Sequence, residues 1–228
     1  MSKQGIVQLF RPAHKVPDTV WSSETPLNLK PRFITLFFLV LGLWIFGTGE
    51  AILIGAGIGV SPWTVLAQGI TEQTGFTVGI STFIVGVLVL LFWIPLRELP
   101  GIGTILNIIL ISMAIIIMTV LTYLKTIDVM NPYIPEQTEM IPAIFQAGIG
   151  IIFVGIGSAF YLTANLGPGP RDGWMTGIQK RTDWPISRVR IGIEILGGNF
   201  GIGTIMFALG IGPIVAVCLG IVARWTKL

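Results

Sequence analysis

An all-α fold is predicted: a polytopic transmembrane helical bundle of about six spans, arranged as two inverted three-span repeats with a short Pro-initiated helix in each. Three observations predict it: an apolar composition, the recurrence of span-length apolar windows, and a similarity between the two halves of the chain. Of the 228 residues, 53% are hydrophobic and 11% charged, and the mean hydropathy is +0.84. Soluble domains are about 45–50% apolar and about 25% charged, so this chain is built for lipid.

Residues 1–32 precede the first apolar window and contain no apolar core before Phe33, so they are expected to form a cytoplasmic arm rather than a cleaved signal peptide. Pro12, Pro17, Pro26 and Pro31 interrupt any long helix there, while Ile6, Val7, Leu9 and Phe10 could lie along the membrane surface. Residues 33–124 make the first membrane repeat, 125–141 an external loop and 142–228 the second repeat. Windows at 33–58, 77–96, 101–124, 142–165 and 201–223 are each long enough to cross a hydrocarbon core of about 30 Å. A sixth, 185–199, reaches only about 22 Å as a helix and needs snorkelling arginines or a locally thinned bilayer.

Charge gives the orientation. Lys and Arg collect in cytoplasmic loops. Counting six spans from a cytoplasmic arm, thirteen of the fourteen basic residues fall inside and only Lys125 outside. The excess of +3 is therefore a topology signal, and no nucleic-acid partner is expected. The expected location is the bacterial cytoplasmic (inner) membrane, multi-pass, with both termini in the cytoplasm.

The two halves match at a fixed offset. GVSPWTVLAQGITEQTGF from Gly59 aligns with LGPGPRDGWMTGIQKRTDW from Leu166, bringing Pro62 onto Pro170, Gly69 onto Gly177, Ile70 onto Ile178 and Phe76 onto Trp184. Downstream, GIGTI at 101–105 repeats at 201–205. The offset is 108 at Pro62 and falls to 100 at Gly101. Each half contains three spans, an odd number, so the second half enters the membrane in the opposite sense, as in several secondary transporters.

LGPGPRDG at 166–173, a helix and basic turn, Arg190 and Glu194, and GIGTIMFALGIGP at 201–213 together resemble the YczE/YyaS/YitT-type bacterial membrane proteins. The resemblance covers roughly residues 35–223 and implies the fold and a bacterial inner membrane more than an activity. The chain departs from that pattern in a shortened stretch after Glu194.

Glu50 and Glu194 are the acids well inside predicted spans, and a carboxylate there costs several kcal/mol unless neutralised or paired. Glu194 has Arg190 four residues earlier on one helix face, which favours structural pairing. Glu50 has no such neighbour and is the stronger functional candidate. The Pro-initiated helices offer free N–H groups to an anion, with Arg171 adding charge and Asp172 already answering the helix dipole. These helices either re-enter the membrane or lie flat on it. Gly47, Ala51, Gly55 and Gly59, and likewise Ala208, Gly212, Ala216 and Gly220, recur at every fourth position and are expected to be helix-packing stripes. Asn165, Asn107 and Gln68 are placed to hydrogen-bond between helices, and Asn165 joins Glu50, Glu194, Arg190, Arg171 and Asp172 as a candidate for substrate or proton coupling.

Neither HExxH, GxSxG nor a Walker sequence occurs, and the single histidine, His14, lies in the arm. No enzyme, cofactor or metal role is expected. Cys218, in the last span, is a small packed residue. The expected function is a secondary transporter or exporter of a small solute, its site near the midplane between the halves. The competing expectation is a non-transporting accessory or scaffold subunit. The expected partners are the lipid bilayer, a small-molecule solute, and another copy of the chain or a partner membrane protein.

Overall fold

The computed structural model describes residues 12–13, 15–123, 140–174 and 201–226. Among them the structure is helical and without strands: α1 Phe33–Ala56, α2 Pro62–Thr74, α3 Val78–Leu96, α4 Ile102–Tyr123, α5 Met140–Ala164 and α6 Ile202–Trp225. All but α2 are long and apolar enough to cross a membrane, giving five candidate spans among the described residues. The short window expected at 185–199, with Arg190 and Glu194, and the arm residues Ile6, Val7, Leu9 and Phe10 lie outside the described residues.

α1 carries no charged residue except Glu50, and it stops where Gly57 adopts a left-handed φ of 68° and donates its N–H to the Ile54 carbonyl. The chain then turns back into the bundle. Pro62 opens α2 at a position that needs no N–H, and the first turn of α2 is buried while Glu72, Gln73 and Thr74 are exposed. Trp63 and Ala67 share an apolar cluster with Val85, Val89 and Trp93 of α3, and Thr71 near the far end hydrogen-bonds Ser81 at 2.8 Å. α2 thus runs antiparallel to α3, leading with its N-terminus into the bundle instead of lying across its end.

α1 packs most extensively on α5; α4 flanks α1, α6 flanks α5, and α3 covers α4. The α1–α5 crossing is a glycine contact. A Cβ at Gly42 would sit 2.8 Å from the Gly157 carbonyl, and one at Gly49 would sit 2.7 Å from the Gly150 carbonyl. Residue number rises along one helix as it falls along the other, so the two are antiparallel. Only residues without side chains let backbones approach this closely.

Several features recur at the offsets of the sequence repeat. Gly57 and Asn165 both take left-handed φ, 68° and 51°, as do Gly59 and Gly167 at 118° and 107°. Gly203 donates to the Ile58 carbonyl at 2.8 Å, and Gly103 to that of Leu166 at 2.7 Å. Gly47 abuts Ala114, and Gly155 abuts Ile214. The small-residue stripes are therefore only partly seams. Gly47 faces α4 rather than α5, nothing lies within 4 Å of a Cβ at Gly212, and Ala208 and Gly212 border a cavity.

The arm is docked. Trp21, 2% exposed, stacks on Phe38 at 3.9 Å and lies 6.0 Å from Trp225, and its Nε1 donates to Thr163 at 3.1 Å. Ser23 N–H donates to the Ala164 carbonyl. The start of α1 and the ends of α5 and α6 therefore share one face of the bundle. Gly201, hard against Ile58, lies at the other.

Candidate functional site

Glu50 is fully buried. Its Oε2 accepts from Ser61 Oγ at 2.8 Å and Thr64 Oγ1 at 2.7 Å, both delivered by the start of α2. Ser61 is the N-cap residue of α2 but makes no side-chain cap. Its hydroxyl is diverted to the carboxylate. Ser61 and Thr64 lie 3.0 Å apart, yet each hydroxyl has one proton, and both are engaged by Glu50.

The other oxygen, Oε1, is buried without a hydrogen-bond partner and faces Arg171 Nη1 at 3.9 Å. That separation exceeds the roughly 2.7–2.9 Å of a charge-assisted hydrogen bond. The two charges attract without sharing a proton, leaving the guanidinium donors free to point elsewhere. Arg171 also lies over the Trp63 ring, 5.6 Å from its centroid, a cation–π distance.

Arg171 belongs to a helical turn that opens at Pro170 and is described as far as Trp174. Trp93 of α3 donates its Nε1 to the Pro170 carbonyl at 3.0 Å, and its ring fills the space a Cβ at Gly173 would need. Next to Arg171, Asp172 accepts from the Tyr161 hydroxyl at 2.6 Å.

Of these groups Ser61, Trp63, Tyr161, Arg171 and Asp172 border a cavity of about 400 Å³, while Glu50 is not part of its wall; the volume is within the range of small-molecule sites. Ser61, Asn107, Ser158, Tyr161, Arg171 and Asp172 supply its polar wall; Phe46, Trp63, Ile111, Val154, Phe207 and Ile211 supply much of its apolar wall. Five of the wall pairs stand at the repeat offsets: Phe46 with Val154, Ser61 with Gly169, Trp63 with Arg171, Asn107 with Phe207 and Ile111 with Ile211. No group of three or more metal-ligating side chains occurs among the described residues.

The structure gathers Glu50, Arg171 and Asp172 from the sequence candidates. Arg171 faces Glu50 and forms part of the cavity wall. Asn165 does something else: its Nδ2 donates to the Ser23 carbonyl at 2.8 Å and ties down the arm, away from the cavity wall. Sequence reasoning passed over Ser61, Thr64, Trp63 and Tyr161. The sequence offset held a signal for one of them, since Trp63 stands 108 residues before Arg171 and the two meet.

Long apolar helices around a buried charge cluster define a polytopic helical membrane protein. The chain belongs to the family described as "Family of unknown function (DUF6198)", whose profile matches residues 33–220. It is 38% identical to an "Uncharacterized protein" of Haemophilus influenzae over 92% of this chain and 93% of that one. It is 32% identical to the "Uncharacterized membrane protein YczE" of Bacillus subtilis, covering 80% and 84%. To YyaS of the same organism it is 26% identical, covering 79% and 85%. The YczE-type resemblance read from the second-half motif thus holds. No solved structure matches the chain.

Proposed function

We propose that the chain is a small secondary transporter or exporter, working without enzymatic chemistry, that binds its solute in the cavity between two inverted halves. The observation that carries this reading is the cavity itself, with Arg171 in its wall and wall residues in offset pairs. α1 and α5 are antiparallel and exchange places under the repeat, so the axis relating them lies across the helices, in the membrane plane. A site on such an axis can face either side when the halves rock. A purely scaffolding subunit has no use for a charged interior cavity.

The test is a thermal-shift screen of small solutes on purified protein, since a ligand that binds the native state raises its stability by mass action. Solutes that stabilise the wild type should lose that effect in Tyr161→Phe or Arg171→Gln, each checked for folding. A screen in which no solute stabilises the protein and none is moved by proteoliposomes would return the chain to the accessory class.

A further inference from the structure

We propose that the cavity binds a small organic monoanion on Arg171 and that Glu50 takes up one proton as it does so, making the two move together. This rests on the transport reading above.

Arg171 is charged at any physiological pH and lies within the bundle, where a guanidinium requires a counter-charge. In the structure Glu50 supplies it first, reached across 3.9 Å without a hydrogen bond, and the neighbouring Asp172 carboxylate is a second negative charge on the same guanidinium. The same guanidinium forms part of the cavity wall. An anion entering the cavity can therefore take the N–H donors that Glu50 leaves unused.

An ionised Glu50 would then share one cation with a second anion. Protonation at Oε1, the buried oxygen that accepts no hydrogen bond, removes that conflict. Oε2 still accepts from Ser61 and Thr64 as a carbonyl oxygen. The empty site is Arg171 cation with Glu50 carboxylate; the loaded site is Arg171 cation, neutral Glu50 and the bound anion. The charge of the cluster is unchanged, and one proton accompanies one anion. Trp63, Phe46 and Phe207 in the wall fit an aromatic or branched apolar body on that anion.

Among the described residues the cavity wall holds one other carboxylate, Asp172. α2 faces Glu50 with hydroxyls only. α5 contributes Tyr161 and the Pro170 turn contributes Asp172, already joined to each other. Among the described residues α3, α4 and α6 bring no titratable side chain to the cavity.

Benzoate, benzamide and benzylammonium serve as anionic, neutral and cationic probes in calorimetry on the purified full-length protein. Runs in buffers of different ionisation enthalpy count the protons. Benzoate should bind with uptake of about one proton, its affinity falling as pH rises. Glu50→Gln should bind benzoate with no proton uptake and no such slope, and Arg171→Gln should not bind it. Benzoate binding without proton uptake in the wild type, or undiminished uptake in Glu50→Gln, would overturn the coupling. Binding of benzylammonium or benzamide in preference to benzoate would overturn the anion while leaving transport standing. Failure of all three probes, with no stabilising solute in the thermal screen, would remove both.

Discussion

Three groups share the carboxylate of Glu50: two hydroxyls on one oxygen and a guanidinium opposite the other. Each hydrogen bond to a charged acceptor is worth roughly 1.5–3 kcal/mol, and removing one partner of a buried ion pair costs about 3–5 kcal/mol because the other is stranded. Replacing both charges leaves no stranded ion. Glu50→Gln and Arg171→Gln are therefore expected to be individually destabilising and strongly non-additive, the double variant recovering at least about 1 kcal/mol relative to the sum. Denaturant midpoints of the four proteins in one detergent measure this coupling. Additive effects would mean that the 3.9 Å contact contributes nothing. The sequence singled out Glu50 because an acid inside an apolar span is costly whatever surrounds it. It could not show the partners, since Ser61, Thr64 and Arg171 reach the carboxylate only after the chain folds back on itself at Gly57 and, in the second half, at Asn165.

At the scale of the helix, the α1–α5 crossing depends on Gly42, Gly49, Gly150 and Gly157. Gly42 and Gly49 are seven residues apart, as are Gly150 and Gly157, and seven residues return a helix almost to the same face. The every-fourth-residue stripe from Gly47 was legible as a packing signal, but spacing alone does not say which neighbour a face meets. Gly47 meets Ala114 of α4 instead. Alanine at Gly42 or Gly49 would place a Cβ 2.7–2.8 Å from backbone atoms of α5. Backbone cannot yield as a flexible side chain can, so each substitution is expected to cost about 1–3 kcal/mol or more through overpacking. Gly148, on the same α5, has nothing within 4 Å of its would-be Cβ. Gly148→Ala should be neutral or gain up to about 1 kcal/mol from helix propensity. Melting temperatures of the three variants test the contrast. Equal losses at all three positions would show that the crossing does not set the fold.

Across the whole molecule, apolar windows marked out each described span to within a few residues, because lipid imposes length and hydrophobicity directly on the sequence. The repeat marked where the chain folds back, through Pro62 and Pro170, but left open whether α2 would enter the bundle N-terminus first or lie flat; periodicity carries no information about tilt. The orientation of the chain is a proposal that the fold now makes testable. Ala164 ends α5 at the face where the arm docks, while Gly201 begins α6 at the opposite face. α5 and α6 therefore run in the same direction, both ending at the face where the arm docks. Single cysteines in the Cys218→Ala protein decide it. Gln73→Cys, at the exposed end of α2, is expected to react with an impermeant maleimide added to intact cells. Glu24→Cys in the arm and Thr226→Cys after α6 should react only once the membrane is opened. Labelling of Glu24→Cys and Thr226→Cys from outside with Gln73→Cys protected would invert the orientation. Labelling of Gln73→Cys and Glu24→Cys from the same side would mean that the chain between them crosses twice or not at all. Opposite behaviour at Glu24→Cys and Thr226→Cys would leave an odd number of crossings and overturn the inverted-repeat arrangement proposed for the halves.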